Sequence, residues 1–398
     1  RRHRRCQGGT NFGAHVLAGA LLAPGMSPQG WQTLRLRAAR RSAMTDGMPK
    51  EAKGRTSVAR VADDWYVACR SDELRRGPRA ASLLGLPLVL FRDGRGMPAA
   101  LLDRCPHRNA PLSIGRVDGD LLECGYHGWR FDRTGTCRRI PGLTGELDPR
   151  GRRATTFPCR EQDGFVWVYA TPDTTPARAP FRIPLLTDRR YTTIRQTLDL
   201  RASVHAAAEN ALDVPHTAFL HRGLFRDGGE PRDIDVVVRR WHDRVEAEYI
   251  GEPRPPGIAG RMLAPGGGVV THFDRFFLPS IAQIEYRLGT DSHLCITTAL
   301  TPVSDFHTRM FAVVSLRLPI PGALVAAVLK PIALAIFRQD AEVLRRQTEV
   351  IERFGGERYV STEVDVLGPH ILRLLRNAER GDRTPLPEPH EKHVRMRV

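Results

Sequence analysis

The chain has 398 residues, of which 41% are hydrophobic, and its 60 Lys and Arg outnumber its 44 Asp and Glu to give a formal net charge of +16. This length allows two domains with sizeable cores, and the hydrophobic fraction is typical of globular proteins. Seven cysteines in a chain of this length are too few for a disulfide-stapled secreted scaffold, which excludes that class.

The positive charge is concentrated in the first 60 residues, which hold 12 Lys and Arg but only two acidic residues, a local net charge of +10. Neither interleaved aromatic residues nor a basic helical pattern accompanies this charge, so the sequence does not indicate nucleic-acid binding. We expect residues 1–62 to form a basic, disordered extension. Because the chain begins with Arg1, we also expect translation to start at Met44 or Met48.

The next segment, residues 63–172, has the pattern of a small all-β domain. Short apolar runs are separated by Gly and Pro, as in Leu86–Phe91, Ala99–Leu102 and Gly164–Tyr169. The Pro-rich stretch 173–184 that follows is typical of a linker. The sequence therefore predicts a β domain that is joined by a linker to a second domain.

Two short motifs inside the β domain carry two thiols and two imidazoles. Cys105-Pro106-His107 is followed, after sixteen residues, by Cys124-Gly125-Tyr126-His127. A Rieske [2Fe–2S] cluster needs this donor set, with both Cys on one iron and both His on the other. A structural zinc site is the alternative, but it usually pairs Cys with Cys and His with His in its short loops. We therefore predict that a [2Fe–2S] cluster is held by Cys105, His107, Cys124 and His127.

The residues around these motifs resemble the Rieske domains of non-haem iron ring-hydroxylating oxygenases. The similar segments are Cys105-Pro-His-Arg-Asn-Ala-Pro-Leu and Cys124-Gly-Tyr-His-Gly-Trp-Arg-Phe. Respiratory-type Rieske proteins add two cysteines that form a disulfide across the cluster, whereas this chain has Ala110 and Tyr126 at the matching positions. The resemblance implies the oxygenase branch, with a lower-potential cluster and no need for an oxidising compartment. A reducing, cytoplasmic location is expected because the remaining cysteines show no paired spacing. The other cysteines are expected to be free thiols: Cys6, Cys69, Cys137, Cys159 and Cys295.

The second domain, expected over residues 185–380, contains consecutive long strand-like runs, which predict an antiparallel sheet. These runs are Asp235–Ile250, Thr271–Leu288, His293–Val303 and Arg309–Leu318. Helices are predicted at about Leu200–Leu220, Arg338–Phe354 and Val366–Arg380, which leaves 381–398 as a tail. The predicted fold class is α+β, with an all-β Rieske domain followed by a helix-grip-like antiparallel-sheet domain.

An apolar stretch from Leu318 to Phe337 carries a single charged residue, Lys330, and leads into the second predicted helix. Three prolines interrupt this stretch, which argues against a straight membrane-spanning helix. We expect a buried helix, or one that borders the active-site entrance and favours a hydrophobic substrate. Shallow membrane contact is the alternative.

A second metal-binding pattern lies within the first predicted helix. Asn210, Asp213 and His216 are spaced i, i+3, i+6 and so share one helical face. His221 lies about 140° around an ideal helix from His216, so both imidazoles face one metal only if the helix ends or distorts between them. Pro215 favours such a break. Two imidazoles and a carboxylate form the facial triad of Fe(II) oxygenases, although ordinary surface or capping histidines give the same pattern.

This segment resembles the mononuclear-iron motif of the same oxygenase family. The resemblance implies that His216 and His221 bind the iron. It also implies that Asp213 links an iron ligand to a cluster histidine of a neighbouring subunit, which His127 matches here. Asn210 is expected only to support the direct ligands.

The third iron ligand of the family is an Asp at the start of a late helix, and Phe337-Arg-Gln-Asp340 matches this position. Glu342 is the near alternative, and an acidic residue in a first helical turn is also common without any metal. The resemblance covers about residues 63–380. It is strongest to the group of pheophorbide a oxygenase, vanillate demethylase and Rieske sterol oxidase, in which a homotrimer works without a β subunit.

The chain carries no G-x-G-x-x-G motif after a strand and no P-loop, so electrons are expected from a separate NAD(P)H-dependent reductase or ferredoxin. The resulting hypothesis is an oxygenase that uses O2 to hydroxylate, demethylate or desaturate a hydrophobic aromatic or polycyclic substrate at a mononuclear iron. A Rieske electron carrier and a lipophile-binding module without chemistry are the two alternatives. A pure carrier needs neither the iron triad nor a second domain of this size.

Overall fold

The computed structural model describes residues 56–75, 77–148, 150–221, 232–252, 270–289, 292–318 and 322–397. The basic extension, the expected start sites Met44 and Met48, and Cys6 therefore lie outside the described residues. The packed structure begins before the predicted boundary at residue 63. The hydroxyl of Ser57 donates to Glu357 at 3.0 Å, and Val61 is buried in the core of the second domain.

The N-terminal domain is all-β, as predicted. Its strands are β1 (Trp65–Arg70), β2 (Arg79–Leu83), β3 (Leu86–Arg92), β4 (Pro98–Leu102), β5 (Arg116–Asp118), β6 (Leu121–Glu123), β7 (Arg130–Phe131), β8 (Cys137–Arg139), β9 (Thr156–Phe157), β10 (Cys159–Gln162) and β11 (Phe165–Tyr169). They form three small sheets with the orders β1-β11-β10, β2-β3-β4-β9 and β5-β6-β7-β8. Short 3-10 helices follow at Ser71–Glu73 and Leu112–Ile114.

The core of this domain reaches the two cysteine loops. The apolar runs that predicted β3 and β4 are buried on both faces, and Phe91 and Leu101 have no exposed surface. They belong to one packed cluster with Cys105, Cys124 and Phe131. Because burial of such side chains is the main driving force of folding, the core fixes the position of both cysteines.

The second domain contains one eight-stranded antiparallel sheet. Its strands are β12 (Thr192–Leu200), β13 (Asp233–Arg240), β14 (Arg244–Ile250), β15 (Val270–Phe277), β16 (Ile281–Leu288), β17 (Ser292–Ser304), β18 (His307–Arg317) and β19 (His390–Arg397). The order across the sheet is β12-β18-β17-β16-β15-β14-β13-β19. Two of the predicted strand runs each form a hairpin, and the other two each form a single strand. The expectation of a tail over 381–398 is wrong, because β19 pairs with β13 along its whole length.

The helices differ from the predicted ones in their boundaries. The helix expected over 200–220 is two helices, α1 (Val204–Ala211) and α2 (Thr217–Leu220). The late helix α3 (Gly322–Phe354) begins sixteen residues before the predicted start at Arg338. The final helix is α4 (Gly368–Arg380), close to its predicted range.

The apolar stretch that precedes Asp340 forms the first half of α3, and Pro331 lies inside this helix. Its described side chains from Leu329 to Phe337 are half-buried or exposed. The expectation of a buried helix here is therefore wrong. Within the described ranges, no helix is both long and apolar enough to cross a membrane.

The two faces of the large sheet have different neighbours. Val236, Ala247 and Phe276 face the helices and share a core with residues of α1, α3 and α4. On the opposite face, Ile281 and other strand residues pack against Trp167 and its neighbours in the N-terminal domain. Since successive strand residues point to opposite faces, strands β15 to β18 contribute to both cores.

Candidate metal centres

Two backbone turns of the same kind present the four predicted cluster ligands. In each loop the cysteine N–H donates to the carbonyl five residues later, at 2.8 Å for both Cys105 and Cys124. The N–H groups of Asn109 and Gly128 donate back to the cysteine carbonyls at 2.9 and 3.0 Å. Both of these residues have a positive φ, 61° and 68°, which Gly adopts freely and Asn tolerates better than most residues.

The two loops also approach each other closely. A Cβ atom at Gly125 would lie 2.9 Å from the carbonyl oxygen of Ile114, which follows the first loop. Only glycine therefore allows the second loop to pass this backbone without a shift. This close approach places the segments Cys105–His107 and Cys124–His127 beside each other.

The four side chains form one group with a buried side and an exposed side. Cys105 and Cys124 are each 2% exposed, whereas His127 lies at the surface. The ring centroids of His107 and His127 are 4.6 Å apart. Burial, together with the neighbouring Cys124 thiol, raises the pKa of Cys105 to about 11, so a bound metal must displace its proton.

The donor set fits a [2Fe–2S] cluster. The Nδ1 atom of His107 is buried and has no hydrogen-bond partner. A buried imidazole nitrogen without a partner is costly, and a metal bond is one way to satisfy it. Two buried thiols beside two more accessible imidazoles match the division of ligands between the two irons of a Rieske centre.

The second centre joins His216, His221 and Asp340, as the sequence predicted. One donor atom from each of the three lies within 4.8 Å of the others. Asp340 Oδ1 is 3.1 Å from His221 Nε2 and 3.6 Å from His216 Nε2, yet this buried oxygen accepts no hydrogen bond. Three ligand atoms thus converge without satisfying one another, which is the arrangement expected around a metal ion.

The break between α1 and α2 brings the two histidines to one point. The hydroxyl of Ser203 caps α1 by accepting from the N–H of Ala206 at 3.1 Å, and this helix ends at Ala211. His216 and His221 then flank the single turn of α2 as its first and last boundary residues. This arrangement is the helix end that the five-residue spacing of the two histidines required.

Asp340 lies in the middle of α3, eighteen residues after its first residue, and not at a helix start. The explanation of Asp340 as an N-terminal helix charge therefore does not apply. The alternative residue, Glu342, faces elsewhere and forms ion pairs with Arg345 and Arg346 at 2.8 and 2.7 Å. These ion pairs leave Asp340 as the carboxylate that faces the two imidazoles.

Hydrogen bonds direct the Nε2 atoms of both imidazoles towards Asp340. The Nδ1 atom of His221 lies 2.7 Å from Gln339 Oε1, so Nδ1 carries the proton because an amide oxygen only accepts. The Nδ1 atom of His216 contacts the Asp213 carbonyl, and the His216 backbone N–H donates to Asp213 Oδ2 at 3.1 Å. Such partners fix the tautomer and orientation of metal-binding imidazoles. Sequence reasoning missed Gln339, although its place beside Asp340 was a usable signal.

The electrostatic surroundings of His216 favour its protonated form in the absence of metal. Burial alone would lower the pKa of His216, but the carboxylates of Asp213 and Asp340 more than offset this effect and raise it to about 9. The site therefore has an excess of negative charge that a cation can compensate. A metal ion must displace the proton from His216 in order to bind.

A cavity of about 510 Å³ adjoins this centre on the side of His216. Glu209, Asn210 and Asp213 line it together with apolar residues of α1 and α3, and Phe219 at its edge is 72% exposed. Burial and the nearby Asp365 raise the pKa of Glu209 to about 7. Asn210, predicted only as a supporting residue, thus lies on the cavity wall, and no described hydrogen bond joins it to an iron-site histidine.

A second group of one histidine and two carboxylates has a different hydrogen-bond pattern. His272 lies on the helix-facing side of β15. Its imidazole ring is stacked between the rings of Tyr249 and Tyr286, at centroid distances of 4.4 and 3.9 Å. Its Nδ1 is 2.6 Å from Glu252 and its Nε2 is 3.0 Å from Asp274. Both ring nitrogens are satisfied by hydrogen bonds, so this imidazole offers no free donor atom. The centre at Asp340 differs in this respect.

Two family models match the chain, one for each domain. Residues 64–158 match the Rieske [2Fe–2S] domain, and residues 200–381 match the vanillate O-demethylase oxygenase C-terminal domain. The two matched ranges contain the two candidate metal centres separately.

Curated relatives align with the same region of the chain. Methylxanthine N1-demethylase NdmA of Pseudomonas putida is 31% identical over 61% of this chain and 69% of its own length. The oxygenase component of dicamba O-demethylase of Stenotrophomonas maltophilia is 34% identical over 58% of this chain. The oxygenase component of chloroacetanilide N-alkylformylase of Rhizorhabdus wittichii is 32% identical over 52% of this chain. The aligned region spans only 61% and 60% of the lengths of these last two relatives.

The fold also matches solved structures. The crystal structure of dicamba monooxygenase bound to 3,6-dichlorosalicylic acid superimposes with a TM-score of 0.68 at 26% identity, covering 81% of this chain and 99% of that one. The structure of NdmB of Pseudomonas putida has a TM-score of 0.67 at 24% identity, which shows the fold alone. Both domains of the chain therefore occur together in proteins of known structure.

Proposed function

This chain belongs to the Rieske non-haem iron oxygenases, and from that membership we propose that it is an oxygenase acting on a hydrophobic aromatic or polycyclic substrate. The observation that carries the proposal is the convergence of His216, His221 and Asp340 on one point, with the buried Asp340 Oδ1 free of any hydrogen bond. Neither an electron carrier nor a lipophile-binding module needs such a point.

We assign the mononuclear iron to His216, His221 and Asp340. When bound, Fe(II) in such a facial triad supplies O2 activation, because it keeps coordination positions open for O2. The chain itself contributes the orientation of the ligands. Gln339 holds the His221 ring, and the backbone carbonyl of Asp213 contacts Nδ1 of the His216 ring, so that both Nε2 atoms face the Asp340 carboxylate.

We assign the [2Fe–2S] cluster to Cys105, His107, Cys124 and His127, within a module of residues 63–172. When bound, this cluster supplies single electrons. The iron module is assigned to residues 185–397, which include β19, with 173–184 as the linker between the two. Because the chain carries no recognised nucleotide-binding motif, a separate NAD(P)H-dependent reductase or ferredoxin is the proposed electron source.

A homotrimer is the proposed assembly, with Asp213 as the contact between copies. Asp213 is 30% exposed, lies 3.4 Å from His216 Nδ1 and borders the cavity described above. The exposed edge of the cluster carries His127, with Tyr126 beside it at 63% exposure. We propose that this edge of one copy docks at Asp213 of the next, so that a carboxylate connects His127 to His216 across the interface.

The names of three relatives support one reaction class as the first to test. Two of them are named as demethylases, of methylxanthine and of dicamba, and a third is named as an N-alkylformylase. Oxidative removal of a methyl or alkyl group from a hydrophobic aromatic substrate is therefore the first reaction to test, ahead of ring hydroxylation and desaturation. A cytoplasmic location agrees with the described cysteines outside the cluster loops, which are all free thiols.

The proposal is tested by single turnover of the reconstituted protein. The chain is loaded with iron and sulfide, reduced with dithionite, freed of excess reductant and exposed to O2 with a panel of N-methyl and O-methyl aromatic compounds. We expect at least one compound to speed re-oxidation of the cluster and to yield formaldehyde or a hydroxylated product in proportion to the iron content. Re-oxidation at one rate with every compound, without any product, would contradict an oxygenase and favour an electron carrier.

A further inference from the structure

The two cluster imidazoles have different surroundings. His127 lies at the surface, and the aromatic ring beside it, Tyr126, is itself 63% exposed. His107 is half-buried, and its Nδ1 atom is buried without a hydrogen-bond partner. The proposed cluster thus meets water on one imidazole and is shielded on the other.

Trp129 provides the shield. Its indole ring stacks on His107 with a centroid distance of 4.7 Å and an interplanar angle of only 5°. Parallel offset stacking of this kind covers part of one face of the imidazole. No described hydrogen bond holds Nδ1 of His107, and the ring contacts two others: His127 edge-on at 4.6 Å and the indole of Trp129 face-on. The indole is the contact that lies parallel to the imidazole plane.

The position of Trp129 is itself fixed by the second cysteine loop. Its carbonyl accepts the N–H of Cys124 at 2.8 Å, and its ring packs towards Phe131 in the buried core of the domain. The indole therefore connects the loop of Cys124 and His127 to a ligand of the other loop. A shift of Trp129 would move the face that supports His107.

We propose that Trp129 is a positioning residue that fixes the plane of His107, excludes water from that side of the cluster, and so lowers the cluster's reduction potential. This inference rests on the proposed function, because it assumes that the four ligands hold a [2Fe–2S] cluster.

Two physical effects of the indole act in the same direction. Reduction adds one negative charge to the cluster, and water stabilises that charge, so covering His107 disfavours the reduced form. The π face of an indole attracts positive charge, which favours the oxidised form with its more electron-poor imidazole. Replacement of Trp129 should therefore make the cluster easier to reduce. A tryptophan that served only to fill the core would change stability and leave the potential where it was.

The experiment is a redox titration of the full chain with its cluster assembled, followed by the paramagnetic signal of the reduced state. In Trp129→Leu we expect the ratio of reduced to oxidised cluster at a fixed applied potential to rise about tenfold, which is about 59 mV for one electron. Trp129→Phe keeps a smaller stacked ring and should shift the ratio in the same direction by less. If Trp129→Leu fails to assemble a cluster, Trp129→Phe decides the question.

Two control variants separate the proposed role from ordinary packing. Phe91→Leu places a smaller side chain in the same core, on strand β3. This variant should have a lower melting temperature and an unchanged midpoint potential. Tyr126→Leu removes the aromatic neighbour of the imidazole that is already exposed, and should move the midpoint less than Trp129→Leu does.

The outcomes distinguish this inference from the function on which it rests. An unchanged midpoint in Trp129→Leu or Trp129→Phe with a fully assembled cluster would overturn the role of Trp129 alone. A shift in Tyr126→Leu as large as that in Trp129→Leu would do the same. A wild-type protein without the Rieske signal after iron and sulfide loading would overturn the cluster assignment itself, and the inference with it.

Discussion

The cluster region and the iron region differ in how far apart along the chain their ligands lie. The two cluster cysteines, Cys105 and Cys124, belong to one small domain and to two turns that close with their own backbone hydrogen bonds. The iron-site histidines flank α2, whereas Asp340 comes more than one hundred residues later, from the middle of α3. The first site needs only its loops and the core beneath them, but the second exists only when two helices pack together.

The proposed cluster ligands are therefore held mainly by their own backbone turns, whereas the proposed iron ligands are held by residues from other parts of the chain. A cluster ligand is held by its own turn, so its replacement should affect the cluster and little else. An iron ligand depends on neighbours such as Asp213 and Gln339, which orient the rings without binding the metal in our assignment.

Cys105→Ser should abolish the cluster. An Fe–S iron that lacks one ligand is labile, so the visible absorption and the paramagnetic signal should vanish and turnover should fall to background. The mononuclear iron should remain, because its ligands lie in the other domain. The measurements are absorption and paramagnetic spectra together with iron content.

Cys137→Ser is the matched control for that variant. Cys137 is 1% exposed in the same core, but it lies outside both cluster motifs. The control should keep a normal spectrum. A normal spectrum in Cys105→Ser would contradict the cluster assignment.

Asp213→Asn should slow electron delivery far more than it affects iron content. Removal of a carboxylate beside a metal-binding imidazole typically costs about 10–100-fold in affinity or activity. The Asp213 carboxylate lies 3.4 Å from His216 Nδ1 and is also the proposed contact between copies, whereas Asp213→Asn keeps the backbone carbonyl that contacts the ring. Dithionite should still reduce the cluster normally, while re-oxidation by substrate and O2 should be slowed. Stopped-flow absorption of the cluster measures both steps.

Asp365→Asn is the control on the same cavity, since Asp365 hydrogen-bonds Thr362 and not His216. It should keep the wild-type re-oxidation rate. A normal rate in Asp213→Asn would mean that electrons take another route, and the trimer proposal would lose its main support.

Gln339→Ala should weaken iron binding without abolishing it. The variant loses the acceptor that fixes Nδ1 of His221, so the affinity for Fe(II) should fall about tenfold or more. Competition with a chelator measures this affinity. Gln347→Ala, on the same helix and along the cavity wall, should bind iron as the wild type does. Equal affinities in the two variants would remove Gln339 from the site.

A smaller effect concerns pH and stability at His272. Burial would lower the pKa of this histidine, but Asp274 and Glu252 raise it to about 9, above the usual value of 6.5. Because the folded state holds the proton more tightly, the resulting stabilisation is full below pH 6.5 and is lost as pH rises through 9. The melting temperature should therefore fall over this range in the wild type.

His272→Gln should melt at a lower temperature at pH 6.5 and show a flatter profile up to pH 9. Removal of the mononuclear iron should leave the contribution of His272 unchanged, because its ring nitrogens bond to Glu252 and Asp274 and it is not one of the proposed iron ligands. An unchanged pH profile in His272→Gln would show that the protonated imidazole is not stabilised in this way.

Much of the architecture was predictable because it depends on patterns of residues that are close together in the sequence. The Cys-x-His and Cys-x2-His motifs predicted four cluster ligands by residue type, and the structure brings these side chains together. Pro215 and the five-residue spacing of the histidines required the break between α1 and α2. Alternating apolar residues predicted most strands of the large sheet. These signals depend on residues that are neighbours along the chain.

The predictions that were wrong or incomplete concern residues whose structure depends on partners far away in the sequence. The prolines before Asp340 suggested a late helix start, yet α3 runs through Pro331, since a proline removes one backbone hydrogen bond and does not always end a helix. The strand β19 is polar and exposed on much of its length, and only its pairing with β13 makes it a strand. Gln339 gains its role from the imidazole of His221, which comes from a different helix.

If one chain holds two separate metal centres, its iron and sulfide content will show both. The wild type should contain about three iron and two sulfide per chain. Asp340→Ala should contain about two of each with an unchanged Rieske paramagnetic spectrum, while Glu342→Gln, whose native carboxylate pairs with Arg345 and Arg346, should resemble the wild type. Two iron in the wild type, or three in Asp340→Ala, would contradict the account.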